Sequence, residues 1–279
     1  MRNGKHDGTN EGAKTTLHRI VEARQESVAH RKRVLPEAAL KMAAQKQSPA
    51  RDFAGALART GCNIIAELKK ASPSLGVIRE SYAPAELAKA LESAGAAALS
   101  VLTEEDFFRG SLGDLKEAKK SVAIPILRKD FVFDPWQVWE ARAAGADTFL
   151  LIVSILSDEL LSELLALGRE LGMEPLVEVH SREELARAKS ARARIIGVNN
   201  RDLRDFRVTL ETSLQLIEEI PDDAIAVSES GLHTREDLSK LRRAGFDAFL
   251  IGERLMKQAD PAEPLRELLG VTADGQRIH

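Results

Sequence analysis

Short apolar segments alternate with amphipathic segments along most of this chain, and the alternation limits the folds that it can adopt. The apolar segments are nearly continuous in hydrophobic residues, as expected for strands buried on both faces of a parallel sheet. The predicted strands are 64–68, 97–102, 124–128, 148–153, 176–179, 195–199, 225–228 and 248–251. The predicted helices between and after them are 84–93, 112–120, 135–144, 158–171, 182–189, 210–219, 235–244 and 261–269.

A weak internal repeat marks the junction between a helix and the next strand. Residues 143–152 (Ala-Ala-Gly-Ala-Asp-Thr-Phe-Leu-Leu-Ile) resemble residues 243–252 (Arg-Ala-Gly-Phe-Asp-Ala-Phe-Leu-Ile-Gly), and residues 93–96 begin a third copy. Each Gly is expected to take a left-handed conformation after its helix. Eight strand–helix units predict an α/β fold, a (β/α)8 barrel. The alternative is a doubly wound open sheet, which usually has a Gly-rich first turn; neither G-x-G-x-x-G nor a Walker sequence is present.

The segment before the first strand is predicted to add helices to the barrel. Apolar residues fall at helical spacing from residue 16 to about residue 45, and Pro36 is expected to begin a second helix. We therefore expect an N-terminal helical extension, 16–45, within one barrel domain of residues 16–279. Residues 1–15 are polar and rich in Gly and Asn, so a disordered tail is expected there.

Composition limits the partners and the location of the chain. Its 279 residues are 44% hydrophobic, enough for a sizeable core, and a net charge of −3 gives no reason to expect a nucleic acid or a membrane as a partner. No apolar run approaches the roughly 20 residues that a membrane span needs. The single cysteine, Cys62, cannot form an internal disulfide and has no zinc-ligand pattern around it. We expect a cytoplasmic protein with no metal and no cofactor.

Polar side chains collect at the carboxyl ends of the predicted strands, where barrels of this kind have their active sites. The first strand ends with Glu67 and Lys69, two residues apart and therefore on one face. Burying either charge alone is costly, so the pair must be compensated or functional. The later strand ends carry Glu104, Asp106, Phe107 and Phe108; Arg128, Lys129, Asp130 and Phe131; Glu178 and His180; Asn199, Asn200, Arg201 and Asp202; Ser228, Glu229, Ser230 and Gly231; and Gly252 and Glu253.

The two-residue period of a strand sorts these side chains by face. Glu178 shares a face with His180, and Asn199 shares one with Arg201. If those faces look into the barrel, two lysines, two carboxylates and an amide converge at one mouth. Charged strand ends that only reach water are the alternative, but oppositely charged groups recurring at several strand ends favour an acid–base site.

Glycines in the loops after the last two strands indicate a phosphate site. Ser230-Gly231 follows the seventh strand and Gly252 follows the eighth. Barrels often hold a phosphate there with backbone N–H groups, whereas either Gly alone would be interpreted as an ordinary turn. Glu178 and His180 could suggest a metal, but no second ligand stands at a telling spacing.

Six stretches of the chain together resemble one known family. They are 65–74 (Ile-Ala-Glu-Leu-Lys-Lys-Ala-Ser-Pro-Ser), 100–104 (Ser-Val-Leu-Thr-Glu), 127–131 (Leu-Arg-Lys-Asp-Phe), 175–180 (Pro-Leu-Val-Glu-Val-His), 196–203 (Ile-Gly-Val-Asn-Asn-Arg-Asp-Leu) and 228–231 (Ser-Glu-Ser-Gly). In this order they resemble indole-3-glycerol phosphate synthase of tryptophan biosynthesis. The resemblance runs from about residue 16 to residue 270 and includes that family's helices before the barrel.

The resemblance implies a carboxy-lyase that closes an indole ring. Its substrate would be 1-(2-carboxyphenylamino)-1-deoxyribulose 5-phosphate, in which the ring carbon bearing the carboxylate attacks the sugar C2 carbonyl. Carbon dioxide and then water leave. Such a reaction needs an acid at the carbonyl, a base and an acid for dehydration, cations, a phosphate anchor and an apolar slot. The expected partner is this phosphorylated small molecule, bound by a monomer or weak dimer.

The resemblance also implies roles for individual residues. Lys129 would be the general acid of ring closure, and Glu178 the partner for dehydration. Lys69 would neutralise the substrate's carboxylate or phosphate, or share the acid role, while Glu67 orients the lysines. The others implied are Asn199, Arg201 and Glu229 in the Lys–Glu network, Ser72, Ser230, Gly231, Gly252 and the backbone of Glu253 at the phosphate, and Pro73, Phe108 and Phe131 at the aromatic ring.

Departures from the family pattern lie outside the residues expected to do chemistry. Leu75 separates Ser74 from Gly76, where many relatives have Gly directly, and Glu253 stands where some relatives have Ser. An active enzyme is therefore expected. Two alternatives stay open: another phosphosugar barrel enzyme, such as a ring-opening isomerase, and a non-catalytic phosphate-binding barrel.

Overall fold

The computed structural model describes residues 15–202 and 207–272. Within these residues, eight parallel strands form a closed barrel. They are β1 (Asn63–Leu68), β4 (Ala98–Leu102), β5 (Ile126–Lys129), β6 (Thr148–Ile152), β7 (Leu176–Val179), β8 (Ile195–Asn199), β9 (Ile225–Glu229) and β10 (Ala248–Ile251). Their order around the barrel is β1-β10-β9-β8-β7-β6-β5-β4. The predicted (β/α)8 barrel is confirmed. The tail predicted at residues 1–15 lies outside the described residues, apart from Thr15.

Helices alternate with these strands and also precede them. They are α1 (Thr16–Val34), α2 (Glu37–Gln45), α3 (Phe53–Leu57), α4 (Pro84–Ser93), α5 (Leu112–Ser121), α6 (Pro135–Ala143), α7 (Asp158–Glu170), α8 (Arg182–Ser190), α9 (Glu211–Leu216), α10 (Arg235–Ala244), α11 (Glu253–Met256) and α12 (Ala262–Leu269). In the described part of the chain, no helix is long and apolar enough to cross a membrane. The N-terminal helical extension is confirmed as α1 and α2.

The repeated helix–Gly–strand junctions have the expected backbone. Gly95, Gly145 and Gly245 all have positive φ, at 100°, 91° and 121°. This conformation lets each helix end sharply, and the chain then returns to the barrel as a strand. The internal sequence repeat therefore corresponds to a junction between helix and strand that recurs around the barrel.

Several short elements were not among the sequence-based predictions. They include α3, the hairpin of β2 (Ala71–Ser72) with β3 (Gly76–Val77), the 3-10 turn Val153–Ile155, and α11. Each is too short for hydrophobic periodicity to reveal it. The helix predicted at 210–219 is α9 followed by one 3-10 turn, Ile217–Glu219.

Buried ion pairs join α1 to the barrel. Arg24 is 1% exposed and its Nη2 donates to Asp130 Oδ2 at 2.6 Å. Arg128 donates to the same oxygen at 2.9 Å and to Glu140 Oε2 at 2.8 Å. Asp130 is fully buried, and these arginines hold its pKa below the usual value although burial alone would raise it. The extension is therefore fixed to the segment that follows β5.

Replacing Arg24 should destabilise the fold. Arg24→Ala leaves Asp130 charged at a buried position with one cation fewer, so the free energy of unfolding should fall by about 3 kcal/mol in chemical denaturation. Arg19→Ala, on an exposed position of α1, is the matched control and should change it by less than about 0.5 kcal/mol. Equal stability of the two variants would contradict a structural role for the Arg24–Asp130 pair.

Candidate active site

A cavity of about 440 Å³ opens where the barrel strands end. Its wall contains side chains from the ends of β1, β5, β7, β8, β9 and β10 and from the loops that follow. All fifteen residues predicted for the site line it: Glu67, Lys69, Ser72, Pro73, Phe108, Lys129, Phe131, Glu178, Asn199, Arg201, Glu229, Ser230, Gly231, Gly252 and Glu253. The structure thus brings together residues that lie up to 186 positions apart, from 67 to 253.

Lys129 lies at the centre of the polar side of this cavity. Its Nζ donates to Glu178 Oε2 at 2.8 Å and to Glu229 Oε2 at 2.9 Å. The three side chains come from the ends of β5, β7 and β9, and the two carboxylates are only 3% and 2% exposed. One ammonium therefore bridges two buried carboxylates.

This shared lysine separates the acidities of the two carboxylates. Burial alone would raise the pKa of Glu178, but Lys129 and His180 together hold it well below its usual value. Burial and the neighbouring Glu178 raise the pKa of Glu229 to about 7, although Lys129 acts to lower it. Although burial would lower the pKa of Lys129, these carboxylates and Glu67 raise it above the usual value, so the amine stays protonated.

A second lysine–carboxylate pair faces the cavity from the end of β1. Lys69 Nζ donates to Glu67 Oε1 at 2.7 Å. Glu67 lies directly against Gly252 at the end of β10, where a Cβ atom would be 2.5 Å from Glu67 Oε1. Gly252, predicted from the sequence as part of a phosphate site, is therefore also the space into which Glu67 fits.

Gly197 makes room for the Glu229 carboxylate, as Gly252 does for Glu67. The sequence analysis did not predict Gly197 as a site residue. Gly197 lies within β8, two residues before Asn199, and a Cβ there would be 2.2 Å from Glu229 Oε1. A glycine inside an otherwise apolar strand was the available signal, since such a residue often marks a close approach. Gly197 lets the Glu229 carboxylate reach Lys129.

The loop after β9 has an unusual backbone. Ser230 and Gly231 are both left-handed, with φ of 64° and 74°. A non-glycine residue in this region is strained, and such strain tends to occur at functional sites. The buried Asn200, also not predicted for the site, holds the loop by donating from Nδ2 to Glu229 O at 2.9 Å and Ser230 O at 3.1 Å.

Asn199, which ends β8, and Arg201, which follows it, are both predicted to position the substrate, and they connect to the first residue of α11. Asn199 Oδ1 accepts a hydrogen bond from the Arg201 backbone N–H at 3.0 Å, and Arg201 Nη2 lies 3.5 Å from Glu253 Oε2. Glu253 also accepts from Lys257 Nζ at 2.7 Å. The position at which some relatives have Ser thus carries a carboxylate paired with two cations.

Two aromatic rings form part of the apolar side of the cavity. The rings of Phe108 and Phe131 have centroids 6.2 Å apart at an interplanar angle of 41°. Glu104 does not line the cavity; it is buried, and its Oε2 accepts the backbone N–H groups of Phe107 at 2.8 Å and of Phe108 at 2.9 Å. The carboxylate of Glu104 therefore organises the loop that presents Phe108.

The comparisons with known proteins agree with this geometry. A family model, "Indole-3-glycerol phosphate synthase", matches residues 17–268. The chain belongs to the indole-3-glycerol phosphate synthase family. The resemblance inferred from the six sequence stretches is thereby confirmed.

Similar proteins bear the family's name, and a more distant solved structure has the same fold. The relative from Koribacter versatilis (strain Ellin345) is 49% identical over 259 residues, which cover 92% of this chain and 99% of the relative. The one from Albidiferax ferrireducens is 45% identical over 256 residues, covering 90% of this chain and 97% of the relative. The structure of thiamine phosphate pyrophosphorylase from Pyrococcus furiosus has a TM-score of 0.55 at 17% identity, covering 76% of this chain and 95% of that one.

Filling the space above Gly197 should impair activity more than stability. In Gly197→Ala the new methyl group displaces the Glu229 carboxylate from Lys129, and kcat should fall about a hundredfold, as for a misplacement of about 1 Å. Steady-state kinetics and thermal unfolding measure the two effects. Gly113→Ala, at an exposed position of α5, is the control and should keep full kcat. If Gly197→Ala kept the wild-type kcat, the close contact between Gly197 and the Glu229 carboxylate would be unimportant for activity.

The raised pKa of Glu229 predicts a pH dependence of stability. Between the ordinary carboxyl pKa and about 7, the unfolded chain loses this proton while the folded protein retains it, so the contribution of Glu229 to wild-type stability falls as pH rises. Glu229→Gln removes this loss. The free energy of unfolding of the variant relative to wild type should therefore increase between pH 4.5 and 7, by up to about 3 kcal/mol. Denaturation series at both ends of this range test it; a constant difference would contradict the raised pKa.

Proposed function

We propose that this chain converts 1-(2-carboxyphenylamino)-1-deoxyribulose 5-phosphate into indole-3-glycerol phosphate, carbon dioxide and water. Membership of the family supports the reaction, and one observation supports the assignment of residues: the Lys129 ammonium held between Glu178 and Glu229 in a cavity with an aromatic wall. The site needs both a charged proton donor and a neighbouring base, and this arrangement supplies both.

Lys129 is the general acid of ring closure in this proposal. The ring carbon bearing the carboxylate forms a bond to the sugar C2, and the C2 oxygen takes a proton from the Lys129 ammonium to become a hydroxyl group. The bond to the carboxylate then breaks, and its electrons restore the aromatic ring as carbon dioxide leaves. The two carboxylates around Lys129 keep it protonated and fixed before substrate binds.

Glu178 is the base of the dehydration step. It removes a proton from the former sugar C1, while the C2 hydroxyl takes a proton from a lysine ammonium and leaves as water. The carboxylate is suited to this role because its pKa is low, so that it is ionised at neutral pH. Lys69, paired with Glu67 across the cavity, is the second ammonium available for the leaving hydroxyl or for the substrate's own carboxylate.

The remaining lining residues are proposed to position the substrate. Phe108, Phe131 and Pro73 would hold the aromatic ring on the apolar wall. Ser72, Ser230 and the backbone N–H groups of Gly231, Gly252 and Glu253 would hold the phosphate opposite. Asn199 and Arg201, linked through the backbone hydrogen bond at 3.0 Å, would orient the substrate between these ends.

The wider setting of the protein stays a set of predictions. We propose that the chain acts in the cytoplasm as a monomer or weak dimer, on this phosphorylated small molecule and without nucleic acid, metal or cofactor. Size-exclusion chromatography with light scattering tests the predicted assembly.

The test of function is the fluorescence of the indole product formed by purified protein from the carboxyphenylamino substrate, with EDTA present. Wild-type protein should turn over, and Lys129→Ala should lose at least about two orders of magnitude in kcat, the usual contribution of a general acid. Lys116→Ala, at an exposed position of α5, is the matched control and should retain activity.

Each failure of this assay has a separate meaning. Full turnover by Lys129→Ala would sink the assignment of the acid but not the reaction. Tight substrate binding by calorimetry without wild-type turnover would indicate a non-catalytic phosphate-binding barrel. Neither binding nor turnover would mean that the substrate is a different phosphosugar.

A further inference from the structure

His180 lies directly behind Glu178 and takes no part in the steps described so far. It follows β7, and its side chain is 13% exposed. One ring nitrogen, Nδ1, is 3.1 Å from Glu184 Oε2 on α8. The other, Nε2, is 3.4 Å from Glu178 Oε1, the oxygen that does not receive the hydrogen bond from Lys129. The imidazole therefore lies between a carboxylate of the cavity and a carboxylate outside it.

The geometry around the ring fixes its charge. An ionised carboxylate can only accept, so each ring nitrogen that faces one is suited to carry a proton. Glu184 is held in place for this contact, since the same Oε2 accepts the His180 backbone N–H at 2.7 Å. Two carboxylates on opposite sides of the ring thus favour the imidazolium. Burial would lower the pKa of His180, but Glu178 and Glu184 raise it to about 10.

The distance between His180 Nε2 and Glu178 Oε1 can become shorter. Nε2 is buried and makes no well-aligned hydrogen bond to any of the described residues. At 3.4 Å it lies just beyond the usual range for a charge-assisted bond. A small movement of Glu178 towards the ring would complete it, and such a movement becomes possible when Lys129 turns from Glu178 to the substrate.

We propose that His180 is a positioning residue whose imidazolium keeps Glu178 ionised and oriented while Lys129 is engaged with the substrate. Glu178 has Lys129 on one side, with the Glu229 carboxylate beside it, and His180 on the other, with Glu184 behind the ring. Once Lys129 has donated its proton, His180 is the cation that still faces Glu178. Without it, Glu178 would take up a proton more readily, and a smaller fraction of the protein would carry the ionised base of dehydration.

This inference rests on the proposed function for the role of Glu178, while the charge of His180 can be measured without turnover. In the ¹⁵N NMR spectrum of the full-length, histidine-labelled protein, His180 should have both ring nitrogens protonated at pH 8. The signal is assigned by its absence from His180→Gln. Glu184→Gln, which removes one of the two flanking anions, should shift the loss of this proton to lower pH.

Kinetics test the effect on Glu178. His180→Gln removes a positive charge next to Glu178, so the pKa of Glu178 should rise and the acid limb of the kcat profile should move up by about one pH unit. Below this limb kcat should be about tenfold lower than in wild type. His30→Gln, on an exposed position of α1, should leave the profile unchanged.

The outcomes separate the inference from the proposed function. A charged ring together with a shifted acid limb supports the inference. A neutral ring at pH 7 in active wild-type protein overturns it alone, and the NMR measurement decides this even if His180→Gln fails to fold. A charged ring with an unmoved acid limb also overturns it. Wild-type protein without turnover overturns the proposed function and the role of His180 with it.

Discussion

The ion pairs of Lys129 are the interaction on which the rest of this site depends. Two buried carboxylates and one ammonium carry a net negative charge, which a protein interior tolerates only with further compensation. Here Glu229 has a raised pKa, while His180 adds a cation behind Glu178. The second lysine, Lys69, is paired separately with Glu67. The site therefore keeps the Lys129 ammonium and an ionised Glu178 side by side at neutral pH, an arrangement suited to acid–base chemistry.

Such a cluster also needs space where a normal strand would place side chains. Gly197 and Gly252 provide it, because a Cβ on either would lie within 2.5 Å of a carboxylate oxygen of the candidate site. The scaffold is held from outside by the Arg24–Asp130 pair, so that the residue following Lys129 is fixed by the N-terminal helix. Close packing below the cluster and ion pairs beside it limit the motion of the lysine, which is the preorganisation that acid catalysis requires.

Much of this could be predicted from the sequence, because strand parity and the position of barrel active sites are general. Counting residues places Glu178 on one face with His180 and Asn199 on one face with Arg201, and both Glu178 and Asn199 line the cavity. Parity places Arg128 on the face opposite Lys129, but it could not show which groups the buried Arg128 and Glu104 contact. These pairings join segments distant in sequence, and no local pattern encodes them. Short elements such as α11 were missed because they span about one turn.

The most direct test of the account replaces the Lys129 ammonium by a more acidic one of similar length. In a Cys62→Ser background, Lys129→Cys is alkylated with 2-bromoethylamine to give a thioether analogue of lysine, and the pH profile of kcat for indole formation is measured. If Lys129 donates the proton in the step that limits turnover, activity returns and the alkaline limb moves to lower pH. Restored activity with an alkaline limb identical to that of the parent protein would contradict the central claim.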